Sequence, residues 1–461
     1  MKSPIYIDLD NEHSIAFFPD SCRFFQTNQN GKTLIEAIAA GEDYERVFQK
    51  LPVTEEQFHS YQKVIESYSI PDCASDCEKH AEEKPSGKHL ERLVIQVSND
   101  CNLRCIYCYA AGGAYGGSRK LLEPGTLQLT LDRFYSYYDS ISTVQIFGGE
   151  PLLNMSAIRS ICAYLAEHDE KSGQKTKIGL VTNGILINEE FIELVKKYNI
   201  LVTVSYDGDT KTNDELRIFA DRRGSSERVL ENAVRLYEAS GEPSTIEVTY
   251  TQLHVNNQVG ILDIVRNIKA MFPKTGVHLV PVSGGKGSSW ALDQYDMFPG
   301  SVDEIFASED PKNAPTYSLV ERIFAGMAMH NPNNRYICSA GVGTLSVSVE
   351  GEVYPCFMFT NEEALSLGNV RDEGLFESER FRNGLEKLRE FSDKTRNPAC
   401  RDCFIRTLCN GCLGMNASHD GSTFRMNDEV CEMFRQMTTR AIIQYAKHDL
   451  LVEKQDETQK A

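Results

Sequence analysis

Asp100-Cys101-Asn102-Leu103-Arg104-Cys105-Ile106-Tyr107-Cys108-Tyr109 decides how the rest of this chain is read. Three thiols stand in the spacing C-x3-C-x2-C, with the aromatic Tyr107 just before the last of them. A [4Fe–4S] cube takes four thiolates, so three ligands this close together leave one iron open to another molecule. The competing reading is a zinc knuckle, which asks for four ligands and usually a distant second pair. Just upstream, Leu93 to Val97 reads as a buried strand that delivers the chain to the cysteine loop.

Downstream of the loop, strand-like and helix-like segments alternate to about residue 283. Val144 to Phe147, Ile178 to Val181, Leu201 to Ser205, Ile246 to Thr251 and Val277 to Val282 read as buried strands. Ser156 to Ala166 and Glu189 to Lys197 read as helices between them. Such alternation predicts a parallel α/β barrel with its chemistry at the C-terminal ends of the strands. Three of those ends carry short polar motifs: Gly148-Gly149-Glu150-Pro151, Thr182-Asn183-Gly184 and Ser205-Tyr206-Asp207-Gly208. Glycines let a backbone approach closely, and a carboxylate accepts a hydrogen bond from an ammonium. Read as structure alone, the same residues are turn formers.

A second concentration of thiols lies near the C-terminus: Cys338, Cys356, Cys400, Cys403, Cys409, Cys412 and Cys431, including two C-x2-C pairs. Seven cysteines in about a hundred residues are a metal-binding array, with zinc the alternative to iron–sulfur clusters. Of the remaining cysteines, Cys162 sits in an apolar helical pattern and reads as core. Cys22 has no assigned role, and Cys73 and Cys77 have i, i+4 spacing in a polar linker.

The first 75 residues read as a small separate module. Ile5 to Leu9 and Ser14 to Phe18 form a hairpin, and helices follow over Asn28 to Ala40, Glu42 to Lys50 and Thr54 to Tyr68, the last capped by Thr54. Residues 76–90 are the linker, 91–283 the barrel, and 284–335 an irregular bridge with a helix near Ser318 to Met329. The cysteine array occupies 336–435, and 436–461 is a polar tail.

Composition narrows the function. The 461 residues carry 14 cysteines and a formal charge of −18. That charge argues against non-specific nucleic-acid binding, which needs basic patches. No apolar run approaches the ~20 residues a membrane helix requires, and Met1-Lys2-Ser3-Pro4-Ile5-Tyr6-Ile7-Asp8 reads as a strand rather than a signal peptide. The expectation is a cytoplasmic protein without nucleic-acid or membrane partners, whose thiols are metal ligands or buried groups rather than disulfides. No Ser-His-Asp set, P-loop or dinucleotide fingerprint competes, and the ten histidines are scattered.

Taken together, these motifs resemble the radical S-adenosylmethionine (SAM) superfamily, and the C-terminal array resembles its SPASM domain. The resemblance implies a partial (β/α)6 barrel, an N-terminal winged-helix-like precursor-peptide recognition element and a C-terminal iron–sulfur domain. It implies SAM and three [4Fe–4S] clusters. Cys101, Cys105 and Cys108 would hold the cluster that cleaves SAM to methionine and a 5′-deoxyadenosyl radical. Tyr107, Gly148, Gly149, Glu150, Asn183, Ser205, Asp207 and Arg217 would form the SAM pocket, Glu150 binding the methionyl amino group and Arg217 pairing with the carboxylate, a bidentate task suited to arginine. Cys400, Cys403, Cys409 and Cys431 would bind an outer auxiliary cluster, and Cys338, Cys356 and Cys412 an inner one. Cys409 and Cys412 have two residues between them where the family pattern often has three. The inner set is one ligand short; relatives place a cysteine near Thr344 and Ser346, and one of Cys73 and Cys77 is the alternative supplier.

Asp100 to Gly117, with its run Tyr109-Ala110-Ala111-Gly112-Gly113-Ala114-Tyr115-Gly116-Gly117, is similar to thioether-forming maturases of cysteine-rich peptides, the sactipeptide and ranthipeptide enzymes. The implied function is a thioether crosslink between a cysteine thiol and an acceptor carbon of a ribosomally made precursor. The precursor's leader would add as a strand to the N-terminal module, and a flavodoxin- or ferredoxin-like protein would be the reductant. Carbon–carbon crosslinking or formylglycine formation, as in anaerobic sulfatase maturases, is the alternative; a non-radical iron–sulfur carrier is a third.

Overall fold

In the computed structural model, residues 4–69, 88–308, 310, 313–329, 335–419 and 424–448 are described. Cys73 and Cys77 lie outside them.

The N-terminal module is a three-stranded antiparallel sheet, β1 (Ile5–Asp8), β2 (His13–Phe18) and β3 (Arg23–Asn28), in that spatial order. Helices Gln29–Ala39, Tyr44–Phe48 and Glu55–Ser69 follow. The hairpin and the helices match the sequence expectation; β3 corrects it. Its Gln26-Thr27-Asn28 end is polar and hid the strand, which forms because Cys22, at φ +56°, turns the chain back along β2. The helix starts are written locally. Asn28 accepts from the Gly31 amide, and Thr54 and Gln57 exchange reciprocal bonds of 2.9 and 3.2 Å as a capping box. Ala16 and Phe18 face Leu34, Ile35, Ile38 and Phe58 in a core of their own, while Ile15 and Phe17 join the main core. The period of two along β2 therefore anchors the module on both faces.

The central sheet has nine strands in the order β12-β11-β10-β4-β5-β6-β7-β8-β9. The run β4 (His89–Ser98), β5 (Ser140–Gly148), β6 (Lys177–Thr182), β7 (Leu201–Ser205), β8 (Thr245–Tyr250) and β9 (Gly276–Pro281) is parallel throughout, in sequence order. Helices Pro124–Tyr137, Met155–Ser172, Glu189–Tyr198, Ser226–Ser240 and Ile261–Met271 lie between successive strands. Leu93, Val94, Ile95 and Val97 of β4 are all buried, the near-continuous apolar run of a strand covered on both faces. Cys162 is buried in the core, as its pattern implied.

The sheet is open, and its β4 edge is extended from the C-terminal region. β10 (Thr344–Val347) pairs parallel with β4, followed by antiparallel β11 (Glu352–Tyr354) and β12 (Gly368–Asn369). These strands are two to four residues long, too short for their pattern to announce a sheet. Two further expectations are corrected. The bridge 284–335 contains a second helix, Met297–Phe306, whose Phe298, Val302, Ile305 and Phe306 are buried. The polar tail does not begin at 436, because helix Asp428–Lys447 runs across that boundary and buries Val430, Met433, Phe434, Met437, Ala441 and Ile442. Among the described residues no helix is long and apolar enough to cross a membrane.

The N-terminal module docks on the C-terminal region. Cys22 Sγ lies 3.4 Å from Thr407 Oγ1, which donates to Pro19 O at 2.7 Å. Arg406 pairs with Asp20, and Gln26 Nε2 donates to Ala446 O at 2.9 Å.

Candidate active site

The cysteine loop leaves β4 at Ser98 and is pinned from both sides. Gly149 N donates to Ser98 O at 2.7 Å and Glu150 N to Asp100 O at 2.8 Å, so the Gly-Gly-Glu strand end of β5 is fastened to the loop's start. On the other side Arg104 N and Ile106 N donate to Ile218 O and Leu216 O at 2.6 and 2.9 Å. The glycines are needed for this closeness. A Cβ on Gly149 would lie 2.4 Å from Asp100 O, and one on Gly113, at φ +92°, would lie 2.8 Å from Cys101 Cβ and from Gly149 Cα.

Glu150 is fully buried. Its Oε1 accepts from Leu152 N and Thr182 Oγ1 at 2.9 and 2.7 Å, and its Oε2 from Asn183 N at 2.8 Å. Burial raises its pKa, and these three donors oppose that rise. A carboxylate has about four acceptor positions, so one remains. Asn183 Nδ2 donates to Asn102 Oδ1 at 2.8 Å and reaches Cys101 Sγ at 3.5 Å; Leu103 N reaches the same sulfur at 3.4 Å.

Tyr107 has an unforeseen position. Its hydroxyl donates to Asp207 Oδ2 at 2.8 Å and accepts from Arg217 Nη1 at 2.7 Å. Asp207, buried, also accepts from Thr249 N at 3.1 Å. Asp207, expected beside SAM, is fully buried and braces Tyr107, while Ser205 and Arg217 line the cavity itself. Arg217 is 8% exposed, and its Nε is buried without a hydrogen-bond partner. An orphaned guanidinium N–H costs free energy unless a ligand meets it, which suits a carboxylate.

The cavity is about 690 Å³ and is walled by both thiol groups: Cys101, Cys105 and Cys108 from one side, Cys338, Cys356 and Cys412 from the other. Between them come Tyr109 and Tyr115, edge to face at 6.0 Å, and Phe147 against Phe357 at 4.3 Å. Tyr109 is 48% exposed, its surface turned to this interior space. Burial pushes the thiols of Cys101 and Cys356 up to about 12 and that of Cys412 to about 11. Cys338, Cys356 and Cys412 feel one another's charge. So do Cys400, Cys403, Cys409 and Cys431. These influences group the seven as a trio and a quartet, although only two residues separate Cys409 from Cys412. Near the trio, Ser339 and Thr344 hydroxyls bond to each other at 2.9 Å, and the buried Ser346 hydroxyl has no hydrogen-bond partner. Beneath the quartet, buried Lys394 donates to Arg406 O and Cys409 O at 2.9 and 2.6 Å, and its charge acts on Cys409, Cys400, Cys403 and Cys338.

These donors fit iron–sulfur cubes. Among the described residues no three His, Cys, Asp or Glu groups close on a single ion. A cube presents separate irons, each taking one thiolate, which suits thiols grouped in threes and fours. A buried ammonium beside four thiolates suits an anionic cluster.

Sequence reasoning missed Glu247, Thr249 and His278, which also line the cavity. The signal was present. In Thr245-Ile246-Glu247-Val248-Thr249-Tyr250 the polar residues alternate with Ile246, Val248 and Tyr250, which are buried.

Comparison with known proteins agrees with this geometry. Residues 95–280 match the radical SAM superfamily, and 338–404 match the SPASM iron–sulfur cluster-binding domain. A cysteine-type anaerobic sulfatase-maturating enzyme of Clostridium novyi is 22% identical over 370 residues, covering 77% of this chain and 96% of that one. The radical SAM cyclopropyl synthase TigE of Paramaledivibacter caminithermalis is 23% identical over 376 residues, covering 77% and 75%. Native anSMEcpe with bound AdoMet and Cp18Cys peptide superposes with a TM-score of 0.61 at 20% identity, covering 78% of this chain and 99% of that one. A parallel α/β sheet whose first strand ends in the C-x3-C-x2-C loop thus falls in the stretch that matches the radical SAM superfamily, and thiols across the same cavity fall in or beside the stretch that matches the SPASM domain.

Proposed function

We propose that this protein is a peptide maturase that installs thioether crosslinks between cysteine thiols and acceptor carbons of a ribosomally made, cysteine-rich precursor. The observation that carries the reading is one cavity walled by two separate cysteine trios. Each trio is one ligand short of a cube, so each leaves a position for a further molecule: SAM at Cys101, Cys105 and Cys108, a substrate thiolate at Cys338, Cys356 and Cys412. SAM and a cluster held by Cys101, Cys105 and Cys108 would supply the radical for hydrogen abstraction at the acceptor carbon, and a cluster held by the C-terminal thiols would supply the acceptor for the surplus electron.

The protein's own groups bind and orient. Arg217 offers its unpaired Nε to the SAM carboxylate, and Asp207 holds Tyr107 so that the tyrosine hydroxyl fixes the guanidinium. The remaining acceptor position of Glu150 meets the methionyl ammonium. Tyr109, Tyr115, Phe147 and Phe357 line the space between the trios and exclude water from it. The module over residues 5–69 presents β1 and β3 as sheet edges and suits a leader that adds as a strand. A flavodoxin- or ferredoxin-like protein is the reductant.

The test is mass spectrometry of a small cysteine-rich peptide encoded beside this gene and co-expressed with the protein. Loss of two hydrogen atoms per link, with a matching number of cysteines resistant to alkylation, is expected. Loss of hydrogen with every thiol still alkylatable would replace thioether formation by carbon–carbon crosslinking. Conversion of a cysteine to an aldehyde would favour formylglycine formation, the reading supported by the sulfatase-maturating relative.

A further inference from the structure

One stretch of the cavity wall is polar without serving the cysteines or Arg217. Strand register sets Ser205 beside Glu247 and Glu247 beside His278. All three line the cavity, so a row of polar side chains crosses β7, β8 and β9 on the interior face. The other carboxylate in the lining, Glu91, belongs to the far end of β4, seven residues and about 23 Å before Ser98, and it packs beside Gly343. Glu91 is exposed there, so among the described residues Glu247 is the partly buried carboxylate of the cavity wall.

Its surroundings suit a proton acceptor. Burial raises the pKa of Glu247 and Asp207 adds to the rise, while Arg217 and the Ser205 hydroxyl hold the charged form. Tyr109, from the cysteine loop, feels its charge and that of Cys356. On its other flank His278 is held neutral: burial, with Arg322 adding, lowers its pKa to about 4, and its Nδ1 lies 2.8 Å from Ser318 Oγ. The groups facing Glu247 are thus one cation, one buried anion, a tyrosine and a neutral imidazole. A carboxylate raised above its ordinary range accepts a proton more readily at neutral pH.

We propose that Glu247 accepts the proton of the peptide's cysteine thiol, an assignment that rests on the thioether reading above. The S–H bond breaks with its electron pair left on sulfur, the proton passes to a Glu247 carboxylate oxygen, and no electron is exchanged in this step. The proton returns to solvent when the product leaves. An acceptor is required because the thiolate, not the thiol, is both the nucleophile and the metal ligand.

The test compares the wild-type holoenzyme with Glu247→Gln and Glu247→Asp on the cysteine-rich precursor, reading crosslink formation, 5′-deoxyadenosine and SAM affinity by calorimetry. Glu247→Gln should slow crosslinking about 100-fold while SAM affinity stays within about twofold, and Glu247→Asp should recover part of the rate. The residual Glu247→Gln rate should climb about tenfold per pH unit toward the ordinary thiol pKa near 8.5, where the wild type is flat. Wild-type crosslinking by Glu247→Gln overturns the assignment alone. So does a parallel loss of SAM affinity, which would make Glu247 part of the SAM pocket. A wild-type enzyme that forms 5′-deoxyadenosine but never links the peptide overturns the thioether reading, and this inference with it.

Discussion

Cys101, Cys105 and Cys108 lie within eight residues at the end of a single strand, whereas the other seven candidate ligands come from loops and helices spread over residues 338–431. The first trio is held by the parallel sheet, through backbone bonds from Gly149 and Glu150 to Ser98 and Asp100 and from the loop to Leu216 and Ile218. The second array has little regular structure under it: two- to four-residue strands, the short helix Pro398–Arg401 and the start of helix Asp428–Lys447. Local spacing names the members of the first group. In the second it names the members but not their grouping, because neighbours such as Cys409 and Cys412 turn to different sets. It follows that the first trio should assemble independently, while the C-terminal array depends on its tertiary frame.

The largest expected effect falls on the first region. Replacing Cys101, Cys105 and Cys108 together by alanine should abolish 5′-deoxyadenosine formation while leaving the auxiliary iron in place, read by iron analysis and electron paramagnetic resonance; about one third of the iron should go. Persistent SAM cleavage would break the assignment of the two regions. A sharper test uses adjacent cysteines. Cys409→Ala and Cys412→Ala should each perturb a different auxiliary signal, with about a tenfold or greater loss of crosslinking and 5′-deoxyadenosine formation retained. Identical spectra from the two variants would mean that the trio and the quartet are not separate.

The smallest effect compares the acidic supports. Asp393 is 3% exposed and accepts from Arg335 Nη2 and Nε at 2.7 and 3.0 Å and from Thr395 N and Oγ1 at 2.9 and 2.7 Å. Burial alone would raise its pKa, but the Arg335 and Thr395 bonds outweigh it and hold the carboxyl down at about 2. Because the folded value lies below the ordinary ~3.9, its stabilisation is complete above about pH 4 and is lost as pH falls toward 2. Asp393→Asn should cost about 1–2 kcal/mol at pH 7 and flatten the acid limb of the stability curve, measured by thermal unfolding of the reconstituted protein. Asp100, paired with Arg119 at 2.7 Å on the surface, should contribute no more than about 1 kcal/mol through that pair. Equal losses at the two sites would contradict the view that the first cysteine loop needs less side-chain support than the C-terminal array.

Legibility followed the same division. The six parallel strands were readable because each carries a short run or alternation of apolar, mostly β-branched residues, and the strand-end motifs because glycine and asparagine mark turns. β3 and helix Met297–Phe306 were not: one ends in polar residues, and the other lies in a stretch whose composition resembles a loop. Within the site, the bond from Tyr107 to Asp207 joins residues one hundred positions apart, and no spacing rule reports it.

The sequence by itself determined the parallel strands, the two concentrations of cysteines and the glycines at the cysteine loop, since each depends on residue type and short-range order. Only the tertiary structure decided that β10 extends the sheet beside β4, that Asp207 braces Tyr107, and that Glu247 lines the cavity between the thiols. Those are distances between segments far apart in the chain, set by how the helices and strands pack rather than by any local preference.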